Sequence, residues 1–101
     1  MCLVEVEKMR GLQTACTTKV QEGMVVRTNT PEVVKTRQGV LEFLLTNHPL
    51  DCPICDKGGE CDLQDQVFRF GGTVSRFVEE KRHKAKARPL GPFVMKDEER
   101  C

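Results

Sequence analysis

Residues 48–61 read HPLDCPICDKGGEC, and the remainder of the chain is organised around this loop. The loop carries one imidazole and three thiols, spaced as His48-x3-Cys52-x2-Cys55-x5-Cys61. The short interval between Cys52 and Cys55 allows a tight turn to aim both sulfurs at one centre. The two glycines at 58–59 can adopt φ > 0, which lets the chain pass close to that centre. Pro49 holds His48 extended, so the imidazole can approach from the remaining side. Four such donors on one loop predict a metal centre.

The spacing alone leaves the kind of centre open. A zinc ion and an iron–sulfur cubane both accept three cysteines and one histidine as ligands. Buried cysteines and a histidine without any metal are the non-functional interpretation of the same residues. A nucleophilic dyad of Cys52 and His48 is disfavoured, because it would leave Cys55 and Cys61 unexplained.

The composition limits the classes of protein to which the chain can belong. Its 101 residues correspond to one small domain or to a piece of a larger one, and without Trp or Tyr its core can only be modest. The net charge of +1 provides no global field for nucleic acid, and no apolar run approaches the roughly 20 residues that cross a bilayer. Six cysteines in this context indicate metal ligation in a reducing compartment rather than a disulfide framework.

The N-terminal part has the pattern of a small sheet. Alternating residues predict a strand over 3–7, an extended segment over 12–18, a turn at 21–23 and a third strand over 24–28. Cys2 and Cys16 fall on adjacent strand ends, which would bring them together; taken singly, each is more typical of a small buried hydrophobe. A cysteine at the start of a strand, with no leader before it, predicts that the chain is an internal segment of a longer protein.

Two helices should flank the loop. Thr30-Pro31-Glu32 is a strong helix start, with a capping hydroxyl, a proline at the first position and an acid in the first turn. The helix should end near Asn47 and present its first ligand, His48, from its C-terminal end. Its predicted apolar face comprises Val33, Val34, Arg37, Val40, Leu41, Leu44 and Leu45. A second helix is predicted over 60–70, with Leu63, Val67 and Phe70 on one side, Gly71-Gly72 as its stop, and Cys61 in its first turn.

The last third of the chain loses this periodicity. The basic run at 81–88 predicts a solvated connector rather than a binding patch, and 89–95 could be extended. The run comprises Lys81, Arg82, His83, Lys84, Lys86 and Arg88. His83 has no cysteine near it and is predicted to be a surface histidine.

The sequence resembles the N-terminal region of the large iron–sulfur subunits (the G subunits) of proton-pumping NADH:quinone oxidoreductases, respiratory complex I. The resemblance is carried by MCLVEVE at the start, LQTACTT with GMVV, the central LLTNHPLDCPICDKGGECDLQD, and the terminal PLGPFVMKDEERC. It covers essentially the whole chain. Related iron–sulfur subunits of NAD-linked hydrogenases and formate dehydrogenases share much of this pattern and remain an alternative.

The resemblance implies a ligand role for each position that matches the family. His48, Cys52, Cys55 and Cys61 match the ligands of a His-ligated [4Fe–4S] cluster. Cys2 and Cys16 match the last two of four [2Fe–2S] ligands, and Cys101 matches the first cysteine of a following [4Fe–4S] motif. Only the first of these three ligand sets is complete here, so the chain is expected to be a fragment.

The implied fold is α+β. Residues 1–29 would be the C-terminal part of a ferredoxin-like (β-grasp) domain, 30–72 a small helical domain whose cluster is ligated by histidine and cysteine, and 73–101 an extended connector. The implied function is electron relay from NADH and flavin toward quinone, with no complete substrate site in this chain. The implied partners are other subunits of the complex I peripheral arm, including the flavin/NADH-binding subunit, at the cytoplasmic side of the inner membrane. No nucleic acid and no direct membrane insertion are expected.

A structural zinc module is the alternative from a different class. The loop spacing allows it, and the basic run at 81–88 could then contact RNA or an acidic partner. The absence of aromatic platforms near that run, the near-neutral net charge and the family resemblance all disfavour this alternative.

Overall fold

A three-stranded antiparallel sheet is formed by the N-terminal residues, with β1 (Leu3–Val6) between β2 (Leu12–Thr14) and β3 (Val26–Arg27). The structure is a computed structural model that describes residues 1–85 and 87–100. Lys86, part of the predicted basic run, and Cys101, a predicted ligand, lie outside the described residues. Val4 and Val6 alternate with half-buried residues along β1 and supply the inward face of the sheet.

The outer strands are shorter than predicted because the chain turns away at both. After β2, the N–H groups of Thr17 and Thr18 both donate to the carbonyl of Thr14, which closes a turn. Before β3, the N–H of Met24 donates to Gln21 and belongs to the predicted turn, in which Gly23 has φ +73°.

The first helix, α1 (Pro31–Leu45), begins and ends close to the predicted positions. Thr30 caps it, since its hydroxyl accepts a hydrogen bond from the N–H of Val33 at 3.4 Å. Val33 and Leu41 are fully buried, and α1 packs on β1 to form the core.

The predicted apolar face of α1 is only partly buried. Leu44 remains 53% exposed, so its assignment to the packed face is wrong. A four-residue strand such as β1 extends about 13 Å, whereas the fifteen residues of α1 extend about 22 Å. The sheet is therefore too short to cover the last turn of the helix.

The second helix, α2 (Asp62–Phe70), packs against α1 and starts two residues later than predicted. The N–H of Glu60 donates to Lys57 in a turn, so Cys61 becomes the N-cap instead of a first-turn residue. Arg37, counted in the apolar face of α1, joins the helices instead: its guanidinium lies 4.6 Å from the ring centre of Phe70. Gly71 ends α2 as predicted, with its N–H donating to Val67.

The C-terminal part folds back rather than extending. β4 (Arg88–Pro89) pairs antiparallel with β5 (Met95–Lys96), and the N–H of Leu90 donates to Val94 across the turn. The expectation of one extended segment over 89–95 is therefore wrong, because Gly91-Pro92 reverses the chain there. None of the described helices has the length and apolar character needed to cross a membrane.

Candidate metal centre

The end of α1 positions the first predicted ligand. Thr46 closes the helix by donating to the carbonyl of Phe43 from both its N–H and its hydroxyl, at 3.3 and 2.8 Å. His48 follows within the next turn of chain and is half-buried, and Pro49 behind it is buried. The histidine thus lies close to the end of a helix that packs on both β1 and α2.

A 3₁₀ turn over Cys52–Ile54 positions the next two predicted ligands. The N–H of Cys55 donates to the carbonyl of Cys52 at 3.1 Å, and the N–H of Gly58 donates to the carbonyl of Cys55 at 2.9 Å. A Cβ at position 58 would lie 2.6 Å from the Cys52 oxygen and 3.0 Å from the Cys55 oxygen. Gly58 therefore permits the close approach that the sequence predicts.

The start of α2 positions the fourth predicted ligand. Gly59 has φ +87° and turns the chain into the helix, and its N–H donates to the side-chain oxygen of Gln64 at 3.0 Å. Cys61 is the N-cap of α2, but its thiol makes no capping hydrogen bond. Its sulfur is therefore not engaged by the helix that it begins.

The four predicted donors line a single cavity of about 160 Å³. One water needs only about 10–15 Å³ of such volume, so the space suits a group of several atoms. The lining is mainly apolar and comes from the end of α1, the loop, α2 and one residue of the C-terminal part. Besides His48, Cys52, Cys55 and Cys61, it includes Leu45, Pro49, Leu50, Asp51, Gly58, Leu63, Gln64, Val67, Phe68 and Arg100.

The spacing of the donors bears on the kind of centre. Within residues 1–85 and 87–100, no three His, Cys, Asp or Glu side chains approach closely enough to hold one metal ion. In an iron–sulfur cube each protein ligand bonds a different iron, so the donors stand farther apart than around a single ion. All four donors line one cavity, as the ligands of a single cubane would.

Two cations from the C-terminal part reach the loop, and sequence analysis missed both. Arg100 lines the cavity and contacts Asp51 at 2.5 Å and Asp97 at 2.9 Å. Its hydrogen bond to the Asp51 carboxylate raises the pKa of Arg100 above its ordinary value, so it stays charged. Lys81 is half-buried and bonds to backbone carbonyls beside the loop, which corrects the prediction that the run at 81–88 is solvated throughout. No local pattern could have signalled either contact.

His83 has the surface position that the sequence predicts. Its side chain is 64% exposed, and its Nδ1 lies 3.0 Å from the carboxylate of Glu99. It does not line the cavity that the four predicted donors share.

The second pair of predicted ligands meets at one end of the sheet. The N–H of Ala15 donates to the carbonyl of Cys2 at 2.8 Å, which continues the pairing of β1 with β2 beyond the strand ends. The sulfurs of Cys2 and Cys16 lie 3.4 Å apart, so the predicted proximity is confirmed. Two thiolates bound to one tetrahedral metal at about 2.3 Å each stand about 3.8 Å apart. The observed separation is about 0.4 Å shorter, so a small outward shift of the two thiols would let them share one metal.

The two thiols of this pair differ in acidity. The hydrogen bond between the two thiols lowers the pKa of Cys2 and raises the pKa of Cys16, and the charge of Cys2 raises the pKa of Cys16 further. At neutral pH Cys2 therefore has the larger thiolate fraction. We expect iodoacetamide to alkylate Cys2 before Cys16 in metal-free chain, as measured by peptide mass spectrometry at short times. In Cys16→Ser the alkylation rate at Cys2 should change. Equal alkylation rates at both cysteines of the parent chain would contradict the assignment of Cys2 as the more acidic thiol.

Two known families match the chain. The NADH-ubiquinone oxidoreductase-G iron–sulfur binding region matches residues 37–76, which contain all four donors of the loop. A 2Fe-2S iron–sulfur cluster binding domain matches residues 1–31, which contain Cys2 and Cys16. Both descriptions are of iron–sulfur binding regions, so the predicted class of cofactor is confirmed.

Three similar relatives are all named as subunits of an NADH-quinone or NADH-ubiquinone oxidoreductase. The NADH-quinone oxidoreductase G subunit of Rickettsia prowazekii is 55% identical over 101 residues, covering all of this chain and 15% of the relative. The NADH-quinone oxidoreductase G 2 subunit of Rhizobium meliloti is 55% identical over 103 residues, covering all of this chain and 12% of the relative. The mitochondrial 78 kDa subunit of NADH-ubiquinone oxidoreductase from Neurospora crassa is 55% identical over 102 residues, covering all of this chain and 14% of the relative.

The similarity extends from the first residue of the chain to the last, although the chain spans only about a seventh of these relatives. It includes both iron–sulfur regions in the order that the fold presents them, the sheet first and the helical loop second. The predicted resemblance is confirmed: over its whole length the chain is similar to the G subunits of NADH-quinone oxidoreductases, and its two parts match iron–sulfur binding regions.

Proposed function

We propose that the chain relays electrons within an NADH:quinone oxidoreductase, through a [4Fe–4S] cluster held by His48, Cys52, Cys55 and Cys61. The observation that carries the proposal is the single apolar cavity lined by all four donors. The cavity lies mainly inside the region that matches the oxidoreductase-G iron–sulfur family, which supports this ligand set over an arbitrary cluster of thiols.

The residues present suit such a cluster. The donors come from three backbone elements fixed by hydrogen bonds, namely the end of α1, the 3₁₀ turn and the N-cap of α2. When bound, a [4Fe–4S] cluster accepts and releases one electron with little change in geometry. The chain would set the potential of that exchange through the charge of its ligands, nearby cations and the exclusion of water by side chains such as Leu63 and Val67.

The sheet end is proposed as half of a [2Fe–2S] site. Cys2 and Cys16 would supply the two thiolates of one iron, which their separation of 3.4 Å supports. The β-grasp identity of the domain at 1–29 and the ligand role of Cys101 are parts of the same proposal. Residues 30–72 would then form the domain of the His/Cys-ligated cluster, and residues 73–101 the connector to a further [4Fe–4S] domain.

Partners are proposed from the names of the relatives and from exposed apolar surface. Phe43, Phe68 and Phe93 are 77%, 85% and 96% exposed, which is typical of surfaces covered in a larger assembly. We propose that other subunits of the complex I peripheral arm cover them, including the flavin/NADH-binding subunit. The chain would sit in a peripheral part of a membrane complex, at the cytoplasmic side of the inner membrane.

The neutral imidazole of His48 gives a test of the ligand assignment. His48→Cys should keep a cluster but lower its midpoint potential, because a fourth thiolate adds negative charge and disfavours taking up an electron. Redox titration followed by EPR measures the shift. His83→Cys, at an exposed histidine outside the cavity, should leave the potential unchanged. A higher potential in His48→Cys would refute the charge argument.

A further inference from the structure

The ammonium group of Lys81 joins the C-terminal part of the chain to the backbone of the predicted histidine ligand. Its Nζ donates to the carbonyl of Leu45 at 2.7 Å and to the carbonyl of His48 at 2.8 Å. The side chain is half-buried and reaches back across 33 residues of sequence to His48. The next residue adds a third contact, since the N–H of Arg82 donates to the side-chain oxygen of Asn47 at 3.1 Å.

This contact occurs where α1 lacks a charge of its own. The last turn of α1 contains no basic residue, so the negative pole of the helix dipole at Leu45 is not offset from within the helix. That pole faces the stretch that carries His48. Lys81 satisfies a terminal helix carbonyl and supplies the missing positive charge at the same point.

We infer that Lys81 is a positioning residue for His48 that also raises the potential of the adjacent centre. The inference rests on the proposed function, because it requires a cluster bound through His48. By bonding the carbonyl of His48, Lys81 fixes the backbone from which the imidazole projects. Its charge favours the reduced, more negative state of any cluster in the cavity. Arg88 and Lys84 cannot substitute, because Arg88 pairs with Glu98 and Lys84 is exposed.

Three variants of the anaerobically reconstituted chain test the inference. Lys81→Met removes the charge and both hydrogen bonds, Lys81→Arg restores a cation that can donate to carbonyls, and Lys84→Met removes an exposed lysine in the same run. The readouts are iron and sulfide content, the midpoint potential, and the nitrogen hyperfine coupling of the histidine ligand by pulsed EPR.

Lys81→Met should have a lower midpoint potential and a changed nitrogen coupling. Lys81→Arg should recover the parent potential, and Lys84→Met should match the parent in every readout. A Lys81→Met cluster with the parent potential and coupling would overturn the inference. If Lys81→Met bound no cluster, the Lys81→Arg variant would decide between the outcomes. Failure of Lys81→Arg to bind a cluster would also overturn the inference. A parent chain without iron and sulfide would instead refute the proposed function.

Discussion

Replacement of Cys55 by alanine is expected to abolish the [4Fe–4S] cluster. Alanine removes one of four ligands and leaves an iron with no protein donor. Iron bound after anaerobic reconstitution should fall from about four per chain to background, and the brown colour should be lost. Iron and sulfide assays together with the visible absorption spectrum measure the loss.

The matched control for this variant is Cys16→Ala. Cys16 lies at the sheet end and does not line the cavity of the loop, so its removal should leave the cluster at the loop intact. Equal iron and sulfide in Cys55→Ala and in the parent chain would mean that Cys55 is not a ligand.

Replacement of Gly58 by alanine is expected to disrupt the loop without touching a ligand. The added Cβ would stand 2.6 Å from the carbonyl oxygen of Cys52 and 3.0 Å from that of Cys55, and neither backbone atom can rotate away. Overpacking of this kind costs about 1–3 kcal/mol. Denaturant titration of the metal-free chain should therefore show a lower free energy of unfolding. Reconstitution should also show less bound iron, because the 3₁₀ turn must shift before the two sulfurs can converge.

Gly39 provides the control for Gly58→Ala. It lies within α1, and a Cβ there would meet nothing within 4 Å. Gly39→Ala should stabilise the chain by about 0.5–1 kcal/mol, because alanine is the better helix former. If Gly58→Ala were as stable as Gly39→Ala and took up as much iron, the close approach in the loop would not constrain the site.

Local features of the fold could be predicted because their signals are short-ranged. The cap of α1 depends on the hydroxyl of Thr30 and the ring of Pro31, which act within one turn of the helix. The conformation of the loop depends on its two glycines, and the proximity of Cys2 to Cys16 depends on the antiparallel pairing of β1 with β2. Each of these determinants can be identified within a few residues of the feature that it fixes.

The features that sequence analysis missed depend on contacts between distant residues. Lys81 bonds residues 33 and 36 positions before it, and Arg100 contacts Asp51 across 49 positions. In the sequence both belong to charged stretches typical of solvated chain. The exposure of Leu44 has a similar origin, since the length of the opposing sheet decides it and the periodicity of the helix does not.

The content of iron, acid-labile sulfide and zinc in the anaerobically purified chain tests the central claim most directly. The four donors lining the cavity predict about four irons and four sulfides per chain, a brown colour, and an EPR signal that appears on reduction. One zinc per chain without sulfide, in a colourless and EPR-silent protein, would contradict it.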